Sequence, residues 1–441
     1  MAPKSNLLNI VFEGCCHSEL DKIYQALEKL RIKVDLLLIG GDFQAARNYS
    51  DLQCMSVPPK YARLGDFADY YSGEKKAPVL TVFVGGNHEA SNYMWELFYG
   101  GWVAPNIYYL GAANVINFKG IRIGGMSGIY NEHHYSMGHY ELIPYRNDTK
   151  RSVYHVRQFD VMKLYQISSN VDIMISHDWP AGIEHKGDLD RLLKRKPHFK
   201  SDVSNNELGS PPAMTLLKHI RPKYWLSAHL HIKYAAIVKH KKKEKLEEND
   251  TASRDQSVST APAPREVERQ GLDRTNFLAL DKCLPRREFL QALKFPRASE
   301  VDDELCFDPE WLAITKATEP YMSLEREQPT PFQSKESRDA LTKRIQENRE
   351  WVEENIVKTG RLRIPKNFQM TAQPVKNRHS SLLQNSPQPI EYKNNQTQEF
   401  CDLLQIQNRI YRGHYNGQPS FPESNDQQPD DIEGEEILDQ S

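Results

Sequence analysis

PVLTVFVGGNHE, residues 78–89, is a β-rich apolar run that stops on a glycine pair and then delivers Asn87, His88 and Glu89. A short buried strand has this form: a few apolar or β-branched residues, then glycines that permit a tight turn. The form recurs along the chain. NLLNIVFEG (6–14) runs into Cys15-Cys16-His17, and DLLLIGG (35–41) into Asp42. VDIMIS (171–176) runs into His177-Asp178, and YWLSA (224–228) into His229-Leu230-His231. One more apolar run is VINFKGIRIGGMSG (115–128). Helical periodicity lies between several of them. From Ser18 to Leu30 it places Leu20, Ile23, Leu27 and Leu30 on one face, with Ser18 as N-cap, and it recurs at 155–167 and 211–220. Strands alternating with helices predict an α/β sandwich with buried central sheets.

What stands at the strand ends carries the chemistry. Ligands in open α/β sheets collect outside the carboxyl ends of strands, beside glycine turns that let the backbone approach closely. Five such ends bring a cysteine, an aspartate, an asparagine and several histidines to one rim. That mixture of imidazole, carboxylate and amide, with one carboxylate able to bridge, is what two divalent metals require. Cys15 is favoured over Cys16 as the sulfur ligand, because i, i+2 spacing puts it on the same face of an extended segment as His17. The competing reading makes both cysteines small buried residues closing the strand.

The order and spacing of these motifs, over residues 6–240, resemble the calcineurin-like metallophosphoesterase superfamily, whose pattern runs DxH, GD, GNH[DE], H, GHxH. The resemblance implies a two-sheet sandwich flanked by helices. It implies that Cys15, His17, Asp42 and His231 hold one metal, and that Asp42 (bridging), Asn87, His177 and His229 hold the other. His88 would sit beside the scissile phosphate and assist the leaving oxygen, Glu89 would fix its tautomer, and a metal-activated hydroxide would be the nucleophile. Cys15 stands where aspartate is usual, and GGDFQ (40–44) where many members read GDxxD. A thiolate is a soft ligand, so Fe(II) or Zn is favoured and Mn is allowed.

Those departures resemble the family of intron lariat debranching enzymes. GGDFQAARN (40–48), PPKYARLGDFADYYSGEKKAPVLTVFVGGNHEASNYM (58–94) and FLALDKCLPRR (277–287) carry the likeness, which spans about residues 6–325 without the charged insertion. It implies cleavage of the 2′–5′ phosphodiester of branched RNA. Residues 128–151 are too long and too polar for an ordinary connection. Their rings and bases, Tyr130, His133, His134, Tyr135, Tyr140, Tyr145 and Arg146, suit stacking on unpaired nucleotides and contact with phosphates. The resemblance makes this the lariat-recognition loop; the plainer reading is a packed surface loop. Trp179 is a further stacking candidate, equally readable as structural.

A net charge of −2 over 441 residues gives no global positive field, so RNA must be gripped locally. Six scattered cysteines fit a reducing compartment. The first residues show no signal-peptide pattern, and no stretch approaches ~18 uninterrupted apolar residues, so the chain reads as soluble and intracellular, with no membrane partner. Residues 1–239 read as the catalytic domain, 240–274 as a disordered charged insertion, and 275–362 as a smaller C-terminal helical region with helices near 308–317 and 335–358. Residues 363–441 read as a disordered tail. The tail's last nineteen residues hold eight acids and no base, which suits either a basic protein partner or solubility alone. Basic residues from Lys239 to Lys245 suit nuclear import, with shuttling to the cytoplasm allowed, or else a solvated linker. Two rivals share the fold: a general phosphatase or phosphodiesterase, which needs neither Cys15 nor the aromatic loop, and a non-catalytic scaffold in RNA processing, which should have lost ligands or His88.

Overall fold

In the first strand, β1 (Leu7–Glu13), alternate side chains part company. Leu8, Ile10 and Phe12 pack into one apolar cluster and Val11 into another. Both faces are therefore buried, as a central strand between helices and a second sheet requires. The computed structural model describes residues 7–58, 62–240, 272–297, 304–330, 334–375 and 386–413. Two sheets face each other within it. The first has six strands in the order β12 (Leu290–Pro296), β1, β2 (Leu36–Ile39), β3 (Thr81–Phe83), β5 (Ile107–Tyr109), β4 (Gly101–Ala104). The second has seven: β10 (Tyr234–Lys239), β11 (Arg274–Ala279), β9 (Tyr224–Ser227), β8 (Ile173–Ser176), β7 (Ile121–Met126), β6 (Ala113–Phe118), β13 (Leu305–Phe307).

Leu38 joins Phe12 from the first sheet, and Ile123, Ile173 and Leu226 meet them from the second. Helices cover the outer faces. Leu20–Lys29, Phe67–Ser72 and Ser91–Glu96 pack on the first sheet, and Gln158–Tyr165, Pro211–Ile220 and Pro309–Thr318 on the second. Neighbours β1, β2 and β3 run parallel, as do β7, β8 and β9. Their carboxyl ends can therefore share one rim. The predicted two-sheet α/β sandwich is the observed fold. Among the described residues, no helix is long and apolar enough to cross a membrane.

Four local readings need correction. Residues 115–128 are not one run but the hairpin β6–β7, turned at Lys119 (φ 51°) and Gly120 (φ 85°). A two-residue loop with both φ positive matches the twist of the strands it joins. Ser18 is not the N-cap of the first helix. Glu19 holds that place without a side-chain cap, while Ser18 is left-handed (φ 59°) because the chain doubles back there. The C-terminal region has the two expected helices, Pro309–Thr318 and Lys335–Val352, but it is not helical throughout, since β11, β12 and β13 first complete both sheets.

The fourth correction concerns the tail. Residues 363–375 and 386–413 are ordered against the catalytic domain. Helix Asn395–Leu404 buries Phe400, Cys401 and Leu404 in the core cluster, and Ile410 follows. The amide of Gln396 accepts the N–H of Trp102 (2.8 Å) and donates to its carbonyl (2.9 Å), closing the edge strand β4 as another strand would. Buried Arg47, paired with Asp51 and Glu96, also donates to Thr371 Oγ1 at 2.6 Å. A Gln- and Asn-rich composition conceals this, because four apolar side chains and well-placed amides suffice. The charged insertion (241–271) and the acidic end (414–441) lie outside the described residues. Ending the chain at 362 should cost several kcal/mol, because it removes four side chains buried in the core, worth roughly 1.5–3 kcal/mol apiece, and bares the surface they cover. Ending it at 413 keeps all of these contacts and serves as the reference. Urea denaturation of the two truncations, compared with each other, checks it.

Candidate metal centre

The strand ends do converge. Cys15, His17, Asp42 and His231 each offer a donor atom, and these atoms all lie within 4.8 Å of one another. Nε2 of His17 is 3.2 Å from Nε2 of His231 and 3.7 Å from Oδ2 of Asp42. Imidazole nitrogens sharing a tetrahedral cation through bonds of about 2.0–2.1 Å stand about 3.3 Å apart, so the donor set fits a metal as it stands. The other oxygen of Asp42 faces a second group. His177 Nε2 lies 3.2 Å from Oδ1 of Asp42 and 3.3 Å from Oδ1 of Asn87, and the His177 and His229 ring centroids are 5.0 Å apart. Asp42 thus offers one oxygen to each half of the centre.

The backbone is bent to achieve this. His17, Asp42, His229 and His231 all have positive φ, between 44° and 60°. Non-glycine residues rarely adopt that conformation, and where they do the surroundings hold them to it. Cys16 N–H donates to Gly41 O and His17 N–H to Asp42 O at 2.7 Å, lacing the first two loops together. Two glycines admit the ligands: a Cβ on Gly41 would lie 2.2 Å from Nδ1 of His177, and one on Gly86 2.2 Å from Oδ1 of Asp42.

Charge follows geometry. Burial drives the His17 pKa down to about 3 against the pull of Asp42, with His88 and Lys282 nearby adding to the fall. Burial likewise holds His231 well below its ordinary value. Both rings are neutral and can offer lone pairs. Burial opposes ionisation of Asp42, but His177 above all, by charge and hydrogen bond, with His88 beside it, outweighs it and keeps the carboxyl well below the usual range. Burial, with Asp42 and Glu13 nearby, raises the Cys15 thiol far above its ordinary value. A cation binding there must displace its proton. Cys15 Sγ accepts the N–H of His229 at 3.2 Å, while Cys16 packs in the apolar core behind the sheet.

Two supporting residues differ from expectation. Glu89 does not fix the tautomer of His88. Its carboxylate instead accepts the N–H groups of Phe43 (2.7 Å), Gly86 (2.9 Å) and Gln44 (2.9 Å), clamping the Asp42 loop to the Asn87 loop. Gln44, which stands where the superfamily pattern often differs, places its amide 3.1 Å from Nδ1 of His17. The contact is made by the amide nitrogen; a half-turn of the amide that brings its oxygen to Nδ1 would let Nδ1 keep its proton and leave the Nε2 lone pair for a cation. The GGDFQ departure was the available signal for it. Replacing Glu89 with alanine leaves three buried N–H groups without partners, at about 1–3 kcal/mol apiece. The expected result is a drop of at least a few kcal/mol in urea denaturation and poorer metal retention, with a smaller drop for Glu89→Gln, whose oxygen still accepts from Phe43 and Gly86 while its NH2 is set against the Gln44 N–H.

His88 lies at the rim. Its N–H donates to Oδ1 of Asp42 (3.0 Å) and its ring stands edge-on to His17, centroids 5.3 Å apart. Beside it, segment 128–151 is built rather than loose. Buried Arg157 donates to Glu141 and to the carbonyls of His134 (2.8 Å) and Ser152 (2.9 Å), and short helices form at Glu132–Tyr135 and Asn147–Ser152. This divides the seven residues read as RNA contacts. Tyr145 is buried, its backbone bracketed by the amide of Gln388, and His134 is buried against His155 and Asn131. Neither ring is free to stack on a nucleotide. Tyr140 is half-buried beneath the guanidinium groups of Arg157 and Arg326. Tyr130 and Tyr135 are half-buried against each other, and His133 and Arg146 are exposed. Trp179 is structural: it is fully buried, stacks on Tyr234 and donates to Ala228 O at 2.8 Å.

Residues 8–233 match the family model described as calcineurin-like phosphoesterase, a span that holds all five strand ends. Residues 272–409 match that of the lariat debranching enzyme C-terminal domain. Among relatives, the lariat debranching enzyme of Schizosaccharomyces pombe is 41% identical over 91% of this chain and 96% of its own length. The chain belongs to the lariat debranching enzyme family. The family's enzyme from Homo sapiens is 46% identical over 90% of this chain and 69% of the relative, and that from Danio rerio is 46% identical over 90% and 66%. The chain therefore spans about two thirds of these vertebrate relatives. The family's C-terminal domain takes in the helix Asn395–Leu404, in keeping with its packing on the core.

Proposed function

We propose that this chain hydrolyses the 2′–5′ phosphodiester at the branch point of excised intron lariats, leaving linear intron RNA for turnover. The observation that carries the reading is the two-sided donor set around Asp42 beside a built, ring-bearing loop, in a chain of this family. Cys15, His17, Asp42 and His231 would hold one divalent cation, and Asp42, Asn87, His177 and His229 a second. Such cations would polarise the phosphoryl group and bring the pKa of water toward neutrality. His88 would donate a proton to the departing 2′ oxygen, its backbone held by Asp42. Tyr130, His133, Tyr135 and Arg146 offer rings and charge to the RNA strands around the branch. Positioning must select the linkage, since the 2′–5′ and 3′–5′ esters differ little in intrinsic energy.

The Cys15 thiolate favours Fe(II) or Zn over Mn. Cys15→Asp should move the preference toward Mn, measured as relative rates after metal-free protein is loaded with each ion; an unchanged order would return Cys15 to the core. The reading also carries a nuclear location, where lariats arise, and a basic partner for the acidic end.

The test is cleavage of a short synthetic branched RNA with one 2′–5′ and one 3′–5′ arm, using protein prepared anaerobically and given Fe(II), Zn or Mn in turn. Release of the 2′–5′ arm alone is expected. Robust hydrolysis of a generic phosphoester with no branched cleavage would favour a general phosphodiesterase, and inactivity with every metal a scaffold.

A further inference from the structure

Strand β11 runs parallel to β9, so its carboxyl end opens on the same rim as the five ligand-bearing ends. It brings Asp281 and Lys282 there. This sixth end closes on the first. Cys15 and Lys282 pair as a parallel bridge between the two sheets, and Cys283 N–H donates to Cys15 O at 3.3 Å. Gly14 lets the two chains meet, since a Cβ there would lie 2.2 Å from Asp281 O.

Paired residues on neighbouring strands project from the same face, and the face alternates along each strand. Cys16 and Cys283, one step on, both pack in the apolar cluster behind the first sheet. Lys282 therefore shares the opposite face with Cys15, whose sulfur stands in the metal centre. The lysine is half-buried there. Burial above all lowers the pKa values of His17 and His231, and the Lys282 charge adds to the fall at both rings.

A half-buried cation beside a metal centre needs a counter-charge. The adjacent acid does not supply it. Asp281 is buried, accepts the Lys282 backbone N–H at 2.8 Å and pairs with Arg287 at 3.4 Å. Among the described residues no carboxylate pairs with the Lys282 ammonium. Within the centre, Asp42, Cys15, one hydroxide and the scissile ester would together cancel two divalent cations, which leaves nothing over for Lys282. The lysine also flanks the centre and does not face its midpoint, for the charges that bear most on Asp42 are those of His177, His88 and His17. The missing anion must arrive with the substrate, on a group beside the scissile ester. A branch ribose has one, since it carries phosphates on adjacent 2′ and 3′ oxygens.

We propose that Lys282 binds the 3′ phosphate of the branch ribose while the metal centre holds the 2′ ester. The proposal deepens the debranching reading and rests on it. It names the group that tells a branch from a linear 2′–5′ strand, which has no phosphate on the neighbouring oxygen.

The experiment compares two branched RNAs that differ at one linkage, the 3′ phosphate of the branch ribose or a neutral methylphosphonate in its place. The unmodified full-length protein should cleave the first at least about tenfold faster by kcat/KM, the size of one hydrogen bond to a charged group. Lys282→Met, which keeps the aliphatic stem and removes the charge, should lose that factor on the first RNA and change little on the second. Lys282→Arg should restore most of the difference. A branched RNA with a non-hydrolysable methylenephosphonate at the 2′ position gives a readout without turnover. For its binding, Lys282→Met should flatten the slope of log affinity against log salt by about 0.7, the share of one phosphate contact on a single strand. Equal loss on both RNAs in Lys282→Met overturns the assignment, because a loop prop or a contact to the scissile ester would act on both. An unmodified protein indifferent to the 3′ charge overturns it as well and leaves debranching intact. Cleavage of neither RNA overturns the debranching reading itself, and this assignment with it.

Discussion

Asp42→Ala is expected to empty both halves of the metal centre and to lower branched-RNA cleavage on the order of 10⁴-fold or more, because polarisation and water acidification are lost together. The expectation comes from how its two oxygens are divided. Oδ2 turns toward His17 (3.7 Å) and Oδ1 toward His177 (3.2 Å), and no other carboxylate among the four clustered ligands could span them. Metal analysis of protein purified anaerobically should find less than one ion per chain where two are expected in the unmodified protein. Retention of one full equivalent would mean that Asp42 serves a single site and does not bridge. Asp42→Asn is the finer probe, since it keeps the shape and the acceptor for the His88 N–H while removing the charge that pulls His177 above its ordinary pKa against burial.

His88→Ala is expected to give the opposite signature, with metals held and turnover down by about 10²–10⁴. The His88 ring meets the rim beside His17, whereas its tie to Asp42 runs through the backbone, which alanine preserves. The loss should fall on kcat at saturating substrate more than on KM. A substrate whose leaving oxygen needs no proton, such as an aryl phosphodiester, should recover most of the rate. If metal content falls in this variant, His88 belongs among the ligands and its assigned role is wrong.

The sequence displays the rim well and its scaffolding poorly. Cys15, His17, Asp42, Asn87, His177, His229 and His231 are visible because each follows an apolar run that ends in a turn, and strand ends are where sheets expose chemistry. The positive φ values at four of them leave no mark in the sequence, being imposed by the loops around them. Glu89 was assigned to its neighbour His88, the nearer partner in sequence. Its real partners are the N–H groups of Gly86, Phe43 and Gln44, two of them more than forty residues away. The loop residues fared similarly. Aromatic density says that rings are present but not which way they face, and Tyr145 turned out to be held by Gln388, 243 residues on. Residues 386–413 were lost to composition, since amides that close a strand edge look no different in sequence from amides in solvent. Long-range partners decide all four cases, and spacing along one chain does not carry them.

The register of β12 on β1 sets a schedule for making this protein. Leu7 pairs with Pro296 and Glu13 with Leu290, so β1 is completed by a strand that leaves the ribosome nearly three hundred residues later. At about 5–20 residues per second that interval is roughly 15–60 s. Throughout it, one flank of β1 is an open apolar edge of the kind that recruits other chains. The nascent chain is therefore most exposed to aggregation while its catalytic motifs are already translated, and it should depend on chaperones until residue 296 has emerged.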